Sequence, residues 1–134
     1  MNVPYAFADA VGKLRVGDPL DEATEQGALV SAAHRDKVES YIQLSRELGG
    51  EIVTGGGRPA GLPERVAGGY FVEPTVVTGL PVDCRVNMEE IFGPVVTITP
   101  FTSETDAVAW ANGTRYGLAA SVWTNDLRRA HRVA

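Results

Sequence analysis

Residues 31–54 read SAAHRDKVESYIQLSRELGGEIVT, and this stretch decides the fold class. Ser31 suits the N-cap of a helix, because its hydroxyl can accept one of the first orphan N–H groups. Val38, Tyr41, Ile42 and Leu48 then recur at helical spacing with Arg and Glu opposite them, a single apolar stripe. Gly49-Gly50 ends the helix by supplying the left-handed conformation that a C-cap needs. Glu51–Thr54 follows at once as a short strand, stopped by Gly55-Gly56-Gly57. A helix, a glycine stop and a strand in immediate succession belong to an α/β protein.

The flanking segments extend the alternation. Phe7, Ala10, Val11 and Leu14 fall on one helical face between Ala6 and Leu14, the last turns of a helix expected to begin before Met1. Gly17-Asp18-Pro19 breaks it, and loops are expected up to Gly27 and again over Arg58–Gly69. Tyr70–Gly79 is β-branched and aromatic with Pro74 in its middle, which predicts two short strand pieces or an edge strand. Val95–Phe101, VVTITPF, is the clearest strand. Ser103 with Asp106 three residues on starts a helix running to about Ala111, stopped by Asn112-Gly113. Leu118–Thr124 predicts a further strand, and Asp126 onward a helix to the end of the sequence. Strands alternating with helices imply a sheet that is at least partly parallel. Both ends fall inside predicted helices, so either two terminal helices simply stop there or the chain is a piece of something larger.

Composition narrows the partners. With 134 residues the chain is the size of one ordinary domain. A net charge of −5 lacks the basic excess that nucleic acid or an anionic membrane surface requires, so neither is expected as a partner. No apolar run approaches the roughly 20 residues of a membrane span, and no secretory leader is visible. The single cysteine, Cys84, rules out an internal disulfide and any multi-cysteine metal site, and is compatible with a cytoplasmic setting.

Three features invite chemistry. In Glu89-Glu90-Ile91-Phe92-Gly93-Pro94, two carboxylates precede an aromatic and a Gly-Pro turn at the entrance of a strand. A carboxylate there can accept bonds from the paired hydroxyls of a ribose while the ring covers an apolar heterocycle. The competing description is a solvated acidic pair before a buried Phe, and open α/β sheets bind ligands at the opposite, carboxyl ends of their strands. Cys84, next to Arg85, is either a nucleophile or an inert half-buried filler; nucleophilic use needs a base, and neither His34 nor His131 can be set beside it from sequence. Gly55-Gly56-Gly57 lacks phosphate-loop spacing and reads as a turn. No metal-ligand spacing is present, so no metal is expected. Trp110, Tyr116 and Trp123 sit within predicted elements and are expected to pack.

Taken in order, Val16-Gly17-Asp18-Pro19, Glu25-Gln26-Gly27-Ala28-Leu29, Gly69-Tyr70-Phe71-Val72-Glu73-Pro74-Thr75, Glu89–Val95 and Ala111-Asn112 with Tyr116-Gly117-Leu118-Ala119-Ala120 resemble the catalytic domain of the aldehyde dehydrogenase superfamily. Asp83–Asn87 and Val122–Asp126 look most like its hydroxymuconic and aminomuconic semialdehyde dehydrogenase branch. The resemblance implies a three-layer, open, largely parallel sheet flanked by helices, with residues 1–134 forming the C-terminal part of a catalytic domain and no dinucleotide-binding domain. It implies an oxidoreductase that converts an aldehyde, such as a semialdehyde, to a carboxylic acid with NAD or NADP. In that family a cysteine thiolate attacks the aldehyde, hydride passes to the cofactor, and a glutamate-activated water releases the acid. Glu90 falls on the carboxylate that binds the nicotinamide-side ribose, and Phe92 on the aromatic packing against that end of the cofactor. No catalytic residue is carried over: Cys84 does not align with the nucleophile, which is expected upstream together with the base, so this chain alone is expected to be inactive. Exposed helix faces would promote association, including a homo-oligomer. The alternative is a non-catalytic binding or interaction module derived from the same fold.

Overall fold

The computed structural model describes residues 3–134, with side chains from Tyr5 onward. It divides into two compact units, residues 1–99 and 100–134.

The first unit is built around α2, Ala32–Glu47. The Ser31 side chain accepts from the His34 N–H, 3.1 Å away, as its N-cap position requires. At the other end Gly49, at φ 82°, and Gly50 send their N–H groups back to the carbonyls of Arg46 and Ser45. That pair of bonds is a Schellman closure, and it satisfies carbonyls that would otherwise be orphaned. Val38, Tyr41 and Ile42 are buried as expected, but the last core position of the stripe is Ser45 rather than Leu48. Ser45 returns its hydroxyl to the Tyr41 carbonyl at 2.8 Å, which makes its burial tolerable, while Leu48 lies beyond the last turn and is exposed.

Three strands form one sheet in the order β1 (Glu51–Thr54), β2 (Thr75–Thr78), β3 (Val95–Ile98). β1 pairs antiparallel with β2, and β2 pairs parallel with β3, Thr75 opposite Val95 and Thr78 opposite Ile98. The sheet is therefore mixed. The second expectation for Tyr70–Gly79 needs correcting, because β2 is the central strand and not an edge. Pro74 is compatible with this because it precedes the first paired residue, so no ladder N–H is lost. Thr75, Val76 and Val77 are all buried, as a strand covered on two faces must be. Val77 belongs to the cluster of Val38, Tyr41, Ile42, Val72, Leu80, Val86 and Ile91 beneath α2. Helix α1, Val3–Gly12, packs on β1 and β2 from the opposite face. The result is the expected three-layer arrangement of helix, sheet and helix.

Two features escape sequence reasoning here. A four-residue helix α3, Arg85–Met88, precedes the acidic pair and buries Val86. Asp18, in the loop after α1, binds Arg65 through both carboxylate oxygens, 2.6 Å to Nε, and this pairing lowers its pKa.

In the second unit α4, Glu104–Ala111, is capped by Ser103, whose hydroxyl accepts from Asp106 N–H at 3.0 Å. α5, Leu127–Val133, is capped by Asp126, which accepts from the N–H groups of Arg128 and Arg129. Glu104 accepts from Arg129 and Arg132, tying the two helices together. The strand expected over Leu118–Thr124 is not formed, because the segment has no ladder partner among the described residues. Trp123 and Tyr116 do not pack as expected either: Trp123 is 93% exposed and Tyr116 is exposed. Leu118 and Leu127 are exposed with them, so this unit carries exposed apolar side chains.

Candidate functional site

The segment 89–94 lies between α3 and the start of β3, and its backbone is fixed from both sides. Pro94 gives its carbonyl to Thr75 N–H at 2.8 Å, locking the entrance of β3 onto β2. Ile91 is buried among the core residues under α2. Gly93 approaches α2 so closely that a Cβ there would stand 2.5 Å from Val38 Cγ2. Between and beside these anchors Glu90 and Phe92 are turned out: Glu90 is exposed, and Phe92 is 71% exposed. Phe92 has φ 58°, the one described non-glycine residue with a left-handed backbone.

The two adjacent carboxylates have different fates. Glu89 accepts two bonds from Arg85, at 3.1 and 2.9 Å, and one from the Tyr41 hydroxyl at 2.5 Å. The bond to Glu89, with burial behind it, holds the Tyr41 phenol above its usual pKa. Glu90 has no side-chain partner among the described residues, and only its carbonyl is engaged, by Lys37 Nζ at 3.0 Å. Glu89 thus serves the fold, and Glu90 keeps a free carboxylate beside an exposed aromatic ring. Accordingly, Glu89→Ala is expected to cost about 1–2 kcal/mol, since the 8%-exposed Tyr41 loses a charged acceptor. Glu90→Ala should stay within about 0.5 kcal/mol. Urea denaturation of the two variants separates them, and equal losses would contradict the assignment.

The other candidates scatter. Cys84 caps α3 with no side-chain hydrogen bond and packs against the core cluster, half-buried, as a filler would. His131 lies in α5, in the second unit, and His34 in α2, its ring turned to Phe92. Gly55 and Gly56, at φ 70° and 90°, form the turn that closes β1, and Gly56 N–H donates to Thr75 Oγ1. Among the described residues no group of three or more His, Cys, Asp or Glu could hold a metal. No described helix is long and apolar enough to cross a membrane.

Sequence reasoning missed His34 and Lys37 as neighbours of the segment. His34 Nε2 lies 2.5 Å from the Phe92 carbonyl, and the two rings are 5.9 Å apart. The signal was present, since His34, Lys37, Val38 and Tyr41 are spaced at three- and four-residue intervals along one helix face. An apolar stripe counts only the last two.

The family model for the aldehyde dehydrogenase family matches residues 3–134, and the chain belongs to that family. It is similar to the 2-aminomuconic 6-semialdehyde dehydrogenase of a Pseudomonas species, 50% identical over 129 residues covering 96% of this chain and 26% of that protein. The 2-hydroxymuconic semialdehyde dehydrogenase of Pseudomonas putida is 49% identical, over 90% of this chain and 25% of that one. These are the branch that residues 83–87 and 122–126 resemble. Among solved structures, a betaine aldehyde dehydrogenase double mutant from Staphylococcus aureus in complex with NAD+ superposes with a TM-score of 0.88 at 41% identity, over 96% of this chain and 26% of that one. The chain thus spans about a quarter of the length of these relatives.

Proposed function

We propose that residues 1–134 form the part of an NAD- or NADP-dependent aldehyde dehydrogenase catalytic domain that meets the nicotinamide side of the cofactor. The observation that carries this is the division of labour at residues 89–92: one carboxylate held by Arg85 and the Tyr41 hydroxyl, its neighbour exposed and without a side-chain partner among the described residues, next to a 71%-exposed phenyl ring. The donor set fits the group. An ionised carboxylate accepts from the two hydroxyls of a ribose, and an aromatic face suits the adjoining heterocycle. The cofactor, when bound, supplies the hydride acceptor for oxidation of an aldehyde to a carboxylic acid. Glu90 fixes the sugar, Phe92 excludes water from one side of it, and Lys37 and Ile91 hold the backbone between them in place.

The relatives named for muconic semialdehydes support a small semialdehyde as the substrate. No side chain of this chain is assigned to the chemical step, Cys84 included, because its sulfur packs with the core. The single cysteine is in keeping with a reducing, cytoplasmic setting. Exposed Leu118, Trp123 and Leu127 suit packing against other parts of a family enzyme or a second copy.

NAD+ titrated into the isotopically labelled chain is expected to shift the amide resonances of residues 90–93, weakly, and the shifts should vanish in Glu90→Ala and Phe92→Ala. The same protein should form no NADH from added aldehyde. Shifts clustered elsewhere, or retained in Glu90→Ala, would refute the assignment.

A further inference from the structure

Phe92 is held in a conformation that its own side chain disfavours. A left-handed backbone brings Cβ against the following carbonyl, so a non-glycine residue stays there only if its surroundings over-determine it. Helix α2 supplies the restraint. His34 is fixed at the helix start by its N–H bond to Ser31, and its Nε2 reaches the Phe92 carbonyl at 2.5 Å. A carbonyl only accepts, so the bond requires the proton on Nε2. The other ring nitrogen, Nδ1, is enclosed with no partner among the described residues, and a proton placed there would be a buried donor without an acceptor. Both constraints select the same tautomer. One turn along, Lys37 Nζ takes the Glu90 carbonyl, and Val38 abuts Gly93. One face of α2 therefore fits the segment residue by residue.

We propose that His34 is a positioning residue: by donating Nε2–H to the Phe92 carbonyl it latches Phe92 in the left-handed conformation that keeps its ring and the Glu90 carboxylate outside the core. This rests on the reading that these two side chains meet the cofactor. The latch itself involves no cofactor and can be tested without one.

In the 134-residue chain, side-chain ¹⁵N spectra of His34 should show the Nε2–H tautomer, and Phe92 should give the strong intraresidue HN–Hα NOE of a positive φ. His34→Ala should abolish that NOE. It should also speed amide exchange at Thr75 and Val95, which bond to the carbonyls of Pro94 and Gly93, roughly fivefold, the size of one net hydrogen bond. His34→Gln, whose amide can donate to the same carbonyl, should restore protection to within about twofold of wild type. In a Phe92→Gly background, where the left-handed backbone needs no latch, adding His34→Ala should change exchange less than about twofold. The Nδ1–H tautomer, an unchanged NOE and exchange in His34→Ala, a His34→Gln variant no better than His34→Ala, or an undiminished effect in the glycine background would overturn the proposal. Loss of the NAD+ shifts with the latch intact would instead remove only the cofactor reading.

Discussion

Gly55→Ala is expected to lower stability by about 2–5 kcal/mol, the sum of a left-handed backbone forced on alanine and an overpacked contact. At φ 70°, a Cβ on Gly55 would run into the Pro74 carbonyl oxygen and stand 2.9 Å from Thr75 Oγ1. A side chain in the way could rotate aside, but this carbonyl cannot. Pro74 has its φ fixed by its ring, and Thr75 is held three times: its N–H bonds to Pro94, its hydroxyl bonds to the Glu73 carbonyl, and its oxygen accepts from Gly56 N–H. Relief therefore has to come from separating β1 from β2, or from shifting the head of β2 against Pro94. The second route displaces the segment carrying Glu90 and Phe92, about 35 residues further along the chain. Gly61 is the control. It has φ 72°, but a methyl group added there would meet nothing within 4 Å, so Gly61→Ala carries only the conformational cost, about 1–2 kcal/mol. Urea midpoints at constant slope measure both, and equal losses would show that the collision at Pro74 is absorbed without cost.

What could be read from the chain divides by range. Ser31, Gly49-Gly50, Ser103 and Asp126 are local instructions, each completed within a few residues, and each one lies where its chemistry says it should. The centrality of β2 is not local. It depends on β1 and β3 pairing on either side of it, and Pro74 alone suggests an edge. Leu118–Thr124 errs in the opposite direction: its residues suit a strand, but a strand exists only where a partner offers a ladder. α3 is too short to show a period. At the site, the pattern of two carboxylates and an aromatic marks the segment, but cannot say which carboxylate is free. That is settled by Arg85, four residues before Glu89 on α3, and by Tyr41, 48 residues away. The latch at Phe92 depends likewise on His34, 58 residues distant, and only the helical spacing of His34 with Lys37 and Tyr41 hints at it.

Gly93→Ala carries the second large effect, about 1–3 kcal/mol by overpacking. Its backbone is not left-handed, so the whole cost arises from one contact: the new Cβ would lie 2.5 Å from Val38 Cγ2 and 3.1 Å from Cγ1. Val38 is fully buried and β-branched, and a helix leaves such a side chain one favoured rotamer, so it cannot turn aside. The strand entrance has to back away from α2 instead. Withdrawal lengthens the His34–Phe92 and Lys37–Glu90 bonds together, since all three contacts lie on one face of the helix. Gly93→Ala should therefore lose the positive-φ NOE of Phe92 along with its stability, a pairing that a mere surface perturbation would not produce. Val38→Ala removes the two methyl groups in the way. The double variant should be less destabilised than the sum of the single ones by about 1 kcal/mol or more, and should regain the NOE. Strict additivity would mean that the glycine is needed for something other than the approach of this segment to α2.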